Sequence, residues 1–220
     1  MEAYKVIKTN RKESSVSIAH NMMLFYPYRN FFLDKKVVSY LSNLYNNLFL
    51  DALTTGVIKR PFGKNEFYSD LKDSIDFIGV NYYTRIFVRF HPLKIFQERK
   101  KKGVVLTDFG YEYYPEGLYE ILLNLKRYRK RILITENGIA DKEDKLRGDF
   151  IKKSIDAIKR AKEKGVDVFG YMYWSLMDNF EWLEGYSMKF GLFEVNFETL
   201  ERKPRNSAYV YRDMVKSYNF

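Results

Sequence analysis

The sequence predicts an α/β protein with four strand-helix units around a parallel sheet, half the number in a TIM (β/α)8 barrel. Apolar runs rich in β-branched residues alternate with segments of helical period, which is typical of repeated βα units. Complete barrels need about 250 residues, and this chain has 220. An open four-stranded sheet leaves two unpaired edges and an uncovered inner face, which normally demand a partner. We therefore expect an incomplete barrel, in one domain over residues 1–220.

The first unit follows a short helical segment near residues 3–8. Its strand is predicted at Ser15–Asn21, with an irregular segment through Tyr26 and Pro27 after it. A long helix comes next, because its apolar residues recur at spacings of four, three and four, and Gly56 suits the position just beyond a helix end. That apolar stripe is Val37, Leu41, Leu44 and Leu48.

The second strand is predicted at Ile75–Tyr83, continuing into a short strand at Arg85–Phe90 and then a basic loop. Pro115 begins the next helix, since proline is favoured in the first helical turn. The remaining predicted elements are a strand at Ile132–Thr135, a helix carrying Ile151, Ile155, Ile158 and Ala161 before Gly165, a strand at Val166–Trp174, an extended or hairpin element at Lys189–Phe197, and a helix at Arg205–Tyr218.

The amino-acid composition limits the kinds of site and segment that the chain can contain. The absence of cysteine excludes disulfides and thiolate metal sites, and with only two histidines a histidine-rich metal centre is not expected. We predict no metal and no cofactor. No run approaches the roughly 18 apolar residues of a membrane span, and the first residues lack the apolar region of a signal peptide. We expect a cytoplasmic protein without a membrane partner.

The net charge of +10 raises the question of nucleic-acid binding, as do the basic runs Arg99–Lys102 and Lys126–Arg131. The second run spans a predicted helix end, where cations offset the helix dipole, and the first lies in a glycine-bounded loop. We therefore expect no nucleic-acid partner.

Glu136 is the leading candidate for a catalytic group. It stands at the end of an apolar strand, and TIM barrels place their active sites at the carboxyl ends of their strands. Such a carboxylate could attack the anomeric carbon of a sugar and form the covalent intermediate of retaining hydrolysis. The alternative is an acid that caps the following turn, and spacing alone favours neither interpretation.

Asn81 and Tyr83 are two residues apart in a strand, so their side chains share a face that could line the pocket. A tyrosine hydroxyl that donates to a carboxylate keeps it ionised and oriented. The alternative, favoured by the residues alone, is a buried tyrosine whose hydroxyl bonds to backbone.

The run Trp174–Trp182 (WSLMDNFEW) combines flat indole surfaces with the acid Glu181, a combination suited to binding a sugar. Core packing of the tryptophans and a surface role for the acid are the alternatives. His20 and Asn21, at the end of the first predicted strand, could also line the pocket, although a core role is expected for His20.

With these motifs in family order, the chain resembles the C-terminal half of glycoside hydrolase family 1, the retaining β-glucosidase and β-galactosidase group of (β/α)8 barrels. The resemblance covers nearly all 220 residues and corresponds to strands five to eight of the family fold. It is carried by Asn81–Thr84 (NYYT), Thr135–Gly138 (TENG) and Trp174–Trp182. The segment Thr107–Glu112 is similar to a further family segment, with Tyr111 where tryptophan is common.

The resemblance implies roles for individual residues. Glu136 corresponds to the nucleophile and Tyr83 to the tyrosine that holds it. Trp174, Glu181 and Trp182 correspond to sugar-binding positions, and Phe190 is placed near the same sugar. Asn21 and Asn81 are added as candidate substrate-binding residues from their positions in the predicted strands. An acid at position 181 implies an unphosphorylated β-glycoside, because a carboxylate there repels a sugar phosphate.

The sequence departs from the family in one respect. The family's general acid/base glutamate lies in an Asn-Glu-Pro motif, which these 220 residues do not contain. The resemblance therefore implies that full activity needs a complementary N-terminal half-barrel. Asp178, Asp141 and Glu184 could substitute for that glutamate, but nothing in the sequence favours one of them. A non-catalytic, self-associating sugar-binding protein and a degenerate fragment without function are the alternatives.

Overall fold

The computed structural model describes residues 2–218. Its helices are α1 (Glu2–Asn10), α2 (Phe32–Ser42), α3 (Leu48–Thr55), α4 (Glu116–Leu125), α5 (Arg147–Glu163) and α6 (Asn206–Ser217). Its strands are β1 (Ala19–Pro27), β2 (Val57–Ile58), β3 (Glu66–Phe67), β4 (Ile78–His91), β5 (Ile95–Arg99), β6 (Ile132–Asn137), β7 (Val168–Tyr173), β8 (Phe193–Val195) and β9 (Arg202–Pro204).

A parallel sheet in the order β1-β4-β6-β7 forms the centre of the structure, and β5 pairs antiparallel with the far end of β4. The order along the sheet follows the order along the chain, as in one half of a barrel wall. The register places Asn21 of β1 opposite Asn81 of β4, and Asn81 opposite Glu136 of β6. The three side chains therefore start at the same height on the sheet.

One face of the sheet is covered by helices. Ile78, Val80 and Tyr82 alternate along β4 and are fully buried in a core shared with the apolar residues of α4 and α5. The opposite face is more open, and Met172 of β7 is 52% exposed there. Among the described residues, β1 and β7 each pair with one neighbour in this sheet, so the sheet has two open edges. The prediction of four strand-helix units from an α/β barrel is confirmed.

The predicted bounds of the first strand were wrong. The strand begins at Ala19 instead of Ser15 and continues to Pro27 instead of ending at Asn21. The predicted irregular segment pairs in register with β4, where Tyr26 lies opposite Phe87 and Pro27 opposite Val88. The extension forms because β4 is itself a single strand to His91, in place of the two strands predicted there, and offers β1 a continuous partner.

Two further differences concern loops and helix continuity. The predicted basic loop contains β5, which turns back onto β4 as a hairpin. The predicted long helix is divided by a π-helical turn at Asn43–Asn47, although Gly56 ends it as expected, with a left-handed φ of 78°. Asn46 of this turn bonds to the backbone of Met23 in β1.

No helix within residues 2–218 is long and apolar enough to cross a membrane.

Candidate active site

A cavity of about 320 Å³ opens where the ladder between β4 and β6 ends. All eight residues that the sequence analysis assigned to a site line it, and two aromatic residues join them. The lining consists of Asn21, Asn81, Tyr83, Phe109, Tyr111, Glu136, Trp174, Glu181, Trp182 and Phe190.

The contact between Tyr83 and Glu136 is the centre of this cavity. The Tyr83 hydroxyl donates a hydrogen bond of 2.5 Å to Glu136 Oε2. Burial raises the pKa of Tyr83 far above its usual range, and the hydrogen bond to Glu136 and the negative charges of Glu136 and Glu181 raise it further. The hydroxyl therefore keeps its proton and acts as a donor. Its partner is the carboxylate of Glu136. The alternative, in which the Tyr83 hydroxyl bonds to the backbone, is therefore excluded.

Glu136 is held by the residues that follow it. The Asn137 side chain is fully buried, donates to the Tyr82 carbonyl at 2.6 Å and accepts from the Tyr171 hydroxyl at 3.0 Å. At Gly138, a Cβ atom would collide with the backbone carbonyl of Trp174. The Asn-Gly pair thus joins β6 to its neighbours on both sides. The preceding carboxylate, Glu136, lies in the cavity and does not cap the following turn.

The segment after β7 contributes an acid and two indoles. Trp174 is half-buried and joined to Ser175 by a cis peptide bond, whereas Trp182 is 83% exposed, which excludes core packing for the second tryptophan. Burial raises the pKa of Glu181, a hydrogen bond from the Trp174 side chain opposes that rise, and the charge of Glu136 adds to it. Two carboxylates therefore share one cavity and repel each other, an arrangement suited to ligands rich in hydroxyl donors.

The remaining predicted residues complete the walls. Thr135 donates to Asn81 Oδ1 at 2.6 Å, which leaves the Asn81 amide N–H groups for a ligand. Asn21 donates from Nδ2 to the Tyr45 hydroxyl at 2.9 Å. Phe190 is buried and meets the Tyr83 ring edge-on, with ring centroids 6.2 Å apart.

His20 turns away from the cavity. Its Nε2 lies 3.2 Å from the Asn46 carbonyl, and its ring stacks on Phe49. Burial lowers its pKa. His20 is half-buried and belongs to neither hydrophobic core cluster, so its core role stays a prediction. Both His20 and Asn21 lie near the beginning of β1 and not at the end of a strand.

Sequence reasoning did not place Phe109 in the cavity. Its ring lies 4.5 Å from that of Tyr111 and 6.0 Å from that of Phe190, measured between centroids. Both Phe109 and Tyr111 lie between β5 and α4, in a segment with no helical or strand period. The signal that could have found them is the dense aromatic content of Phe109–Tyr114 next to a glycine.

The three acids considered as substitutes for the missing acid/base lie outside the cavity lining. Asp178 is fully buried and forms a two-bond ion pair with Arg205 at 2.9 and 3.0 Å. Asp141 accepts the backbone N–H groups of Leu146 and Arg147 at the beginning of α5. Glu184 is exposed. The first two carboxylates are thus committed to structural bonds.

Known proteins are similar to this chain in sequence and in fold. The sequence model described as glycosyl hydrolase family 1 matches residues 1–220. The chain belongs to glycosyl hydrolase family 1. A β-galactosidase of Sulfolobus acidocaldarius is 38% identical, over 98% of this chain and 45% of that protein. β-Glucosidase A of Acetivibrio thermocellus is 33% identical, over 100% of this chain and 55% of that protein.

A solved family 1 β-glucosidase of Thermotoga maritima superposes with a TM-score of 0.88 at 32% identity, over 99% of this chain and 54% of that one. The chain therefore spans about half the length of the family 1 relatives it matches. The fold resemblance inferred from the motifs is confirmed at the level of the family.

Proposed function

We propose that this chain carries the nucleophile half of a retaining β-glycosidase, with Glu136 as the nucleophile. The observation that carries the proposal is the 2.5 Å bond from Tyr83 to Glu136 Oε2 inside an aromatic-walled cavity. That bond fixes the carboxylate and leaves Oε1 for attack on the anomeric carbon. The new bond joins Oε1 to the sugar, and the leaving group departs with the electron pair of the broken glycosidic bond.

The proposed substrate is an unphosphorylated β-glucoside or β-galactoside. Trp174, Trp182 and Phe190 offer flat apolar surfaces to the sugar ring, while Glu181 and Asn81 offer an acceptor and a donor to its hydroxyls. A phosphate on the sugar would be repelled by Glu181. In a partly shielded site, two unit charges 4 Å apart repel each other by about 4 kcal/mol.

The second carboxylate of the mechanism is proposed to come from a complementary N-terminal half-barrel, within a longer chain or as a separate one. Retaining enzymes hold their two carboxyl groups about 5 to 5.5 Å apart, and the residues of this sequence contribute Glu136 and Glu181 to the cavity. The open edges at β1 and β7 and the exposed Met172 are the surfaces such a half would cover. A cytoplasmic location and the absence of a nucleic-acid partner stay predictions.

Co-expression tests the proposal. This chain, produced together with an N-terminal half-barrel that carries the Asn-Glu-Pro glutamate, should hydrolyse an aryl β-glucoside at least about 10²-fold faster than the chain alone, the usual contribution of a positioned acid/base. The matched control is the same half with that glutamate changed to glutamine. Equal turnover with and without the active half, or a dimer of this chain that binds glucose yet never forms a covalent adduct with a 2-fluoro-glycoside, would contradict the proposal.

Tyr83→Phe should slow glycosyl transfer to Glu136 about 10- to 100-fold, because it removes one hydrogen bond to a charged acceptor, about 1.5 to 3 kcal/mol. The packing on Phe190 is retained by the phenylalanine ring, so thermal stability should change little. The measurement is the limiting rate of phenolate release from an activated aryl glycoside. Tyr82→Phe, which removes a hydroxyl bonded to the Tyr114 carbonyl, is the control; equal rates for both variants would argue against the role of Tyr83.

A further inference from the structure

The π-helical turn at Asn43–Asn47 lies beside the cavity and contacts β1 through the side chains of Tyr45 and Asn46. The register between β1 and β4 shifts after Met22, where the single residue Met23 of β1 lies opposite two residues of β4, Tyr83 and Thr84. Bulges and π turns both occur preferentially near functional sites. Here the π-helical turn lies against the register shift, which suggests that the turn stabilises the backbone of β1 at that point.

The Asn46 side chain bonds to the backbone of Met23, the residue of β1 at the register shift. The Met23 N–H donates to Asn46 Oδ1 at 3.0 Å, and Asn46 Nδ2 donates to the Met23 carbonyl at 2.7 Å. The Asn46 side chain is buried, with 6% exposure. One side-chain amide thus bonds to both backbone groups of Met23. Without it, two backbone groups at the bulge would lose their partners, which is costly at a buried site.

Tyr45, the preceding residue, reaches the cavity wall. Its hydroxyl accepts the 2.9 Å bond from Asn21 Nδ2, and its ring packs edge-on against Phe25 at 5.8 Å. Consecutive residues of the turn therefore bond to Asn21 and Met23, on either side of Met22. Asn21 lines the cavity opposite Asn81, at the height of Glu136.

We propose that Tyr45 is a positioning residue that orients Asn21 for the bound sugar, and that Asn46 holds the backbone of Met23 where the register between β1 and β4 shifts. Because Nδ2 donates to Tyr45, the orientation leaves Asn21 Oδ1 as an acceptor for a sugar hydroxyl. Tyr45 acts through Asn21 and does not touch the reacting atoms. The expected effect of Tyr45 on sugar binding rests on the proposed function. The orientation of Asn21 by Tyr45 does not depend on that function.

Saturation kinetics with an activated 2-deoxy-2-fluoro-β-glucoside test the effect on binding. Tyr45→Phe should raise the concentration for half-maximal labelling of Glu136 about five- to tenfold, the effect of one lost neutral hydrogen bond. The limiting labelling rate should stay within about twofold, since the nucleophile and Tyr83 are unchanged. Tyr40→Phe is the matched control, because Tyr40 is an exposed tyrosine of α2 outside the cavity.

A second readout separates this inference from the proposed function. The side-chain amide resonances of Asn21, observed by NMR in the full chain, should shift in Tyr45→Phe and stay in place in Tyr40→Phe. Labelling constants for Tyr45→Phe equal to those of Tyr40→Phe, or unshifted Asn21 resonances, would overturn the inference. A parent chain that is never labelled at Glu136 would instead contradict the proposed function, and the NMR comparison would still decide the role of Tyr45.

Discussion

Glu136→Gln should slow the release of dinitrophenolate from a 2,4-dinitrophenyl 2-deoxy-2-fluoro-β-glucoside by about 10⁴- to 10⁶-fold, the range seen when a covalent nucleophile is removed. The physical reason is that a neutral amide oxygen is a far weaker nucleophile than a carboxylate. This substrate needs no acid to protonate its leaving group, since dinitrophenolate is a stable anion. The chain can therefore be tested without the acid/base carboxylate, by following phenolate absorbance in a single turnover.

The control for this prediction is Glu184→Gln. Glu184 is an exposed acid three residues beyond Glu181 and outside the cavity, so the same change of charge should leave the rate within about twofold of the parent. A glutamine at position 136 that releases phenolate as fast as the parent would show that the attacking group lies elsewhere.

Asp178→Ala should lower the free energy of unfolding by about 3 to 5 kcal/mol, the usual effect of removing one partner of a buried ion pair. Asp178 bonds to Arg205 through both carboxylate oxygens and accepts the Gly191 N–H at 2.9 Å. The alanine would leave the Arg205 guanidinium, 7% exposed, without its counter-charge. Because this pair anchors the segment between Trp174 and Gly191, the cavity wall should loosen as well. Urea denaturation of parent and variant measures the loss.

Asp213→Ala provides a matched control, because Asp213 pairs with Arg212 at a similar distance, 2.8 Å, but with both side chains more than half exposed. Exposed pairs contribute about 0 to 1 kcal/mol. If the two variants lose similar amounts of stability, burial is not the reason that the Asp178 pair matters.

The site was more predictable from the sequence than the bounds of the elements. Glu136 was identified because it ends an apolar strand, where the barrel rule places active-site groups. The roles of Tyr83 and Trp174 came from the resemblance of their motifs to those of the family. The cavity combines three separate segments of the chain, and the Tyr83–Glu136 bond, for example, joins residues 53 positions apart.

What the sequence did not predict depends on contacts between segments. The length of β1 depends on its pairing with residues 82–88 of β4, which is not evident from residues 22–27 alone. The π turn depends in the same way on the bonds between Asn46 and Met23, 23 residues apart. Phe109 joins the cavity from an irregular segment, where no period exists to be interpreted.

The most direct test of the central claim is to locate the covalent sugar. After reaction with the fluoroglucoside, the chain should gain the mass of one fluoroglucosyl group, and peptide mapping should place it on Glu136. The Glu136→Gln variant should remain unmodified. A label on Glu181 or another acid, or an unmodified parent chain at saturating reagent, would contradict the assignment of Glu136 as nucleophile.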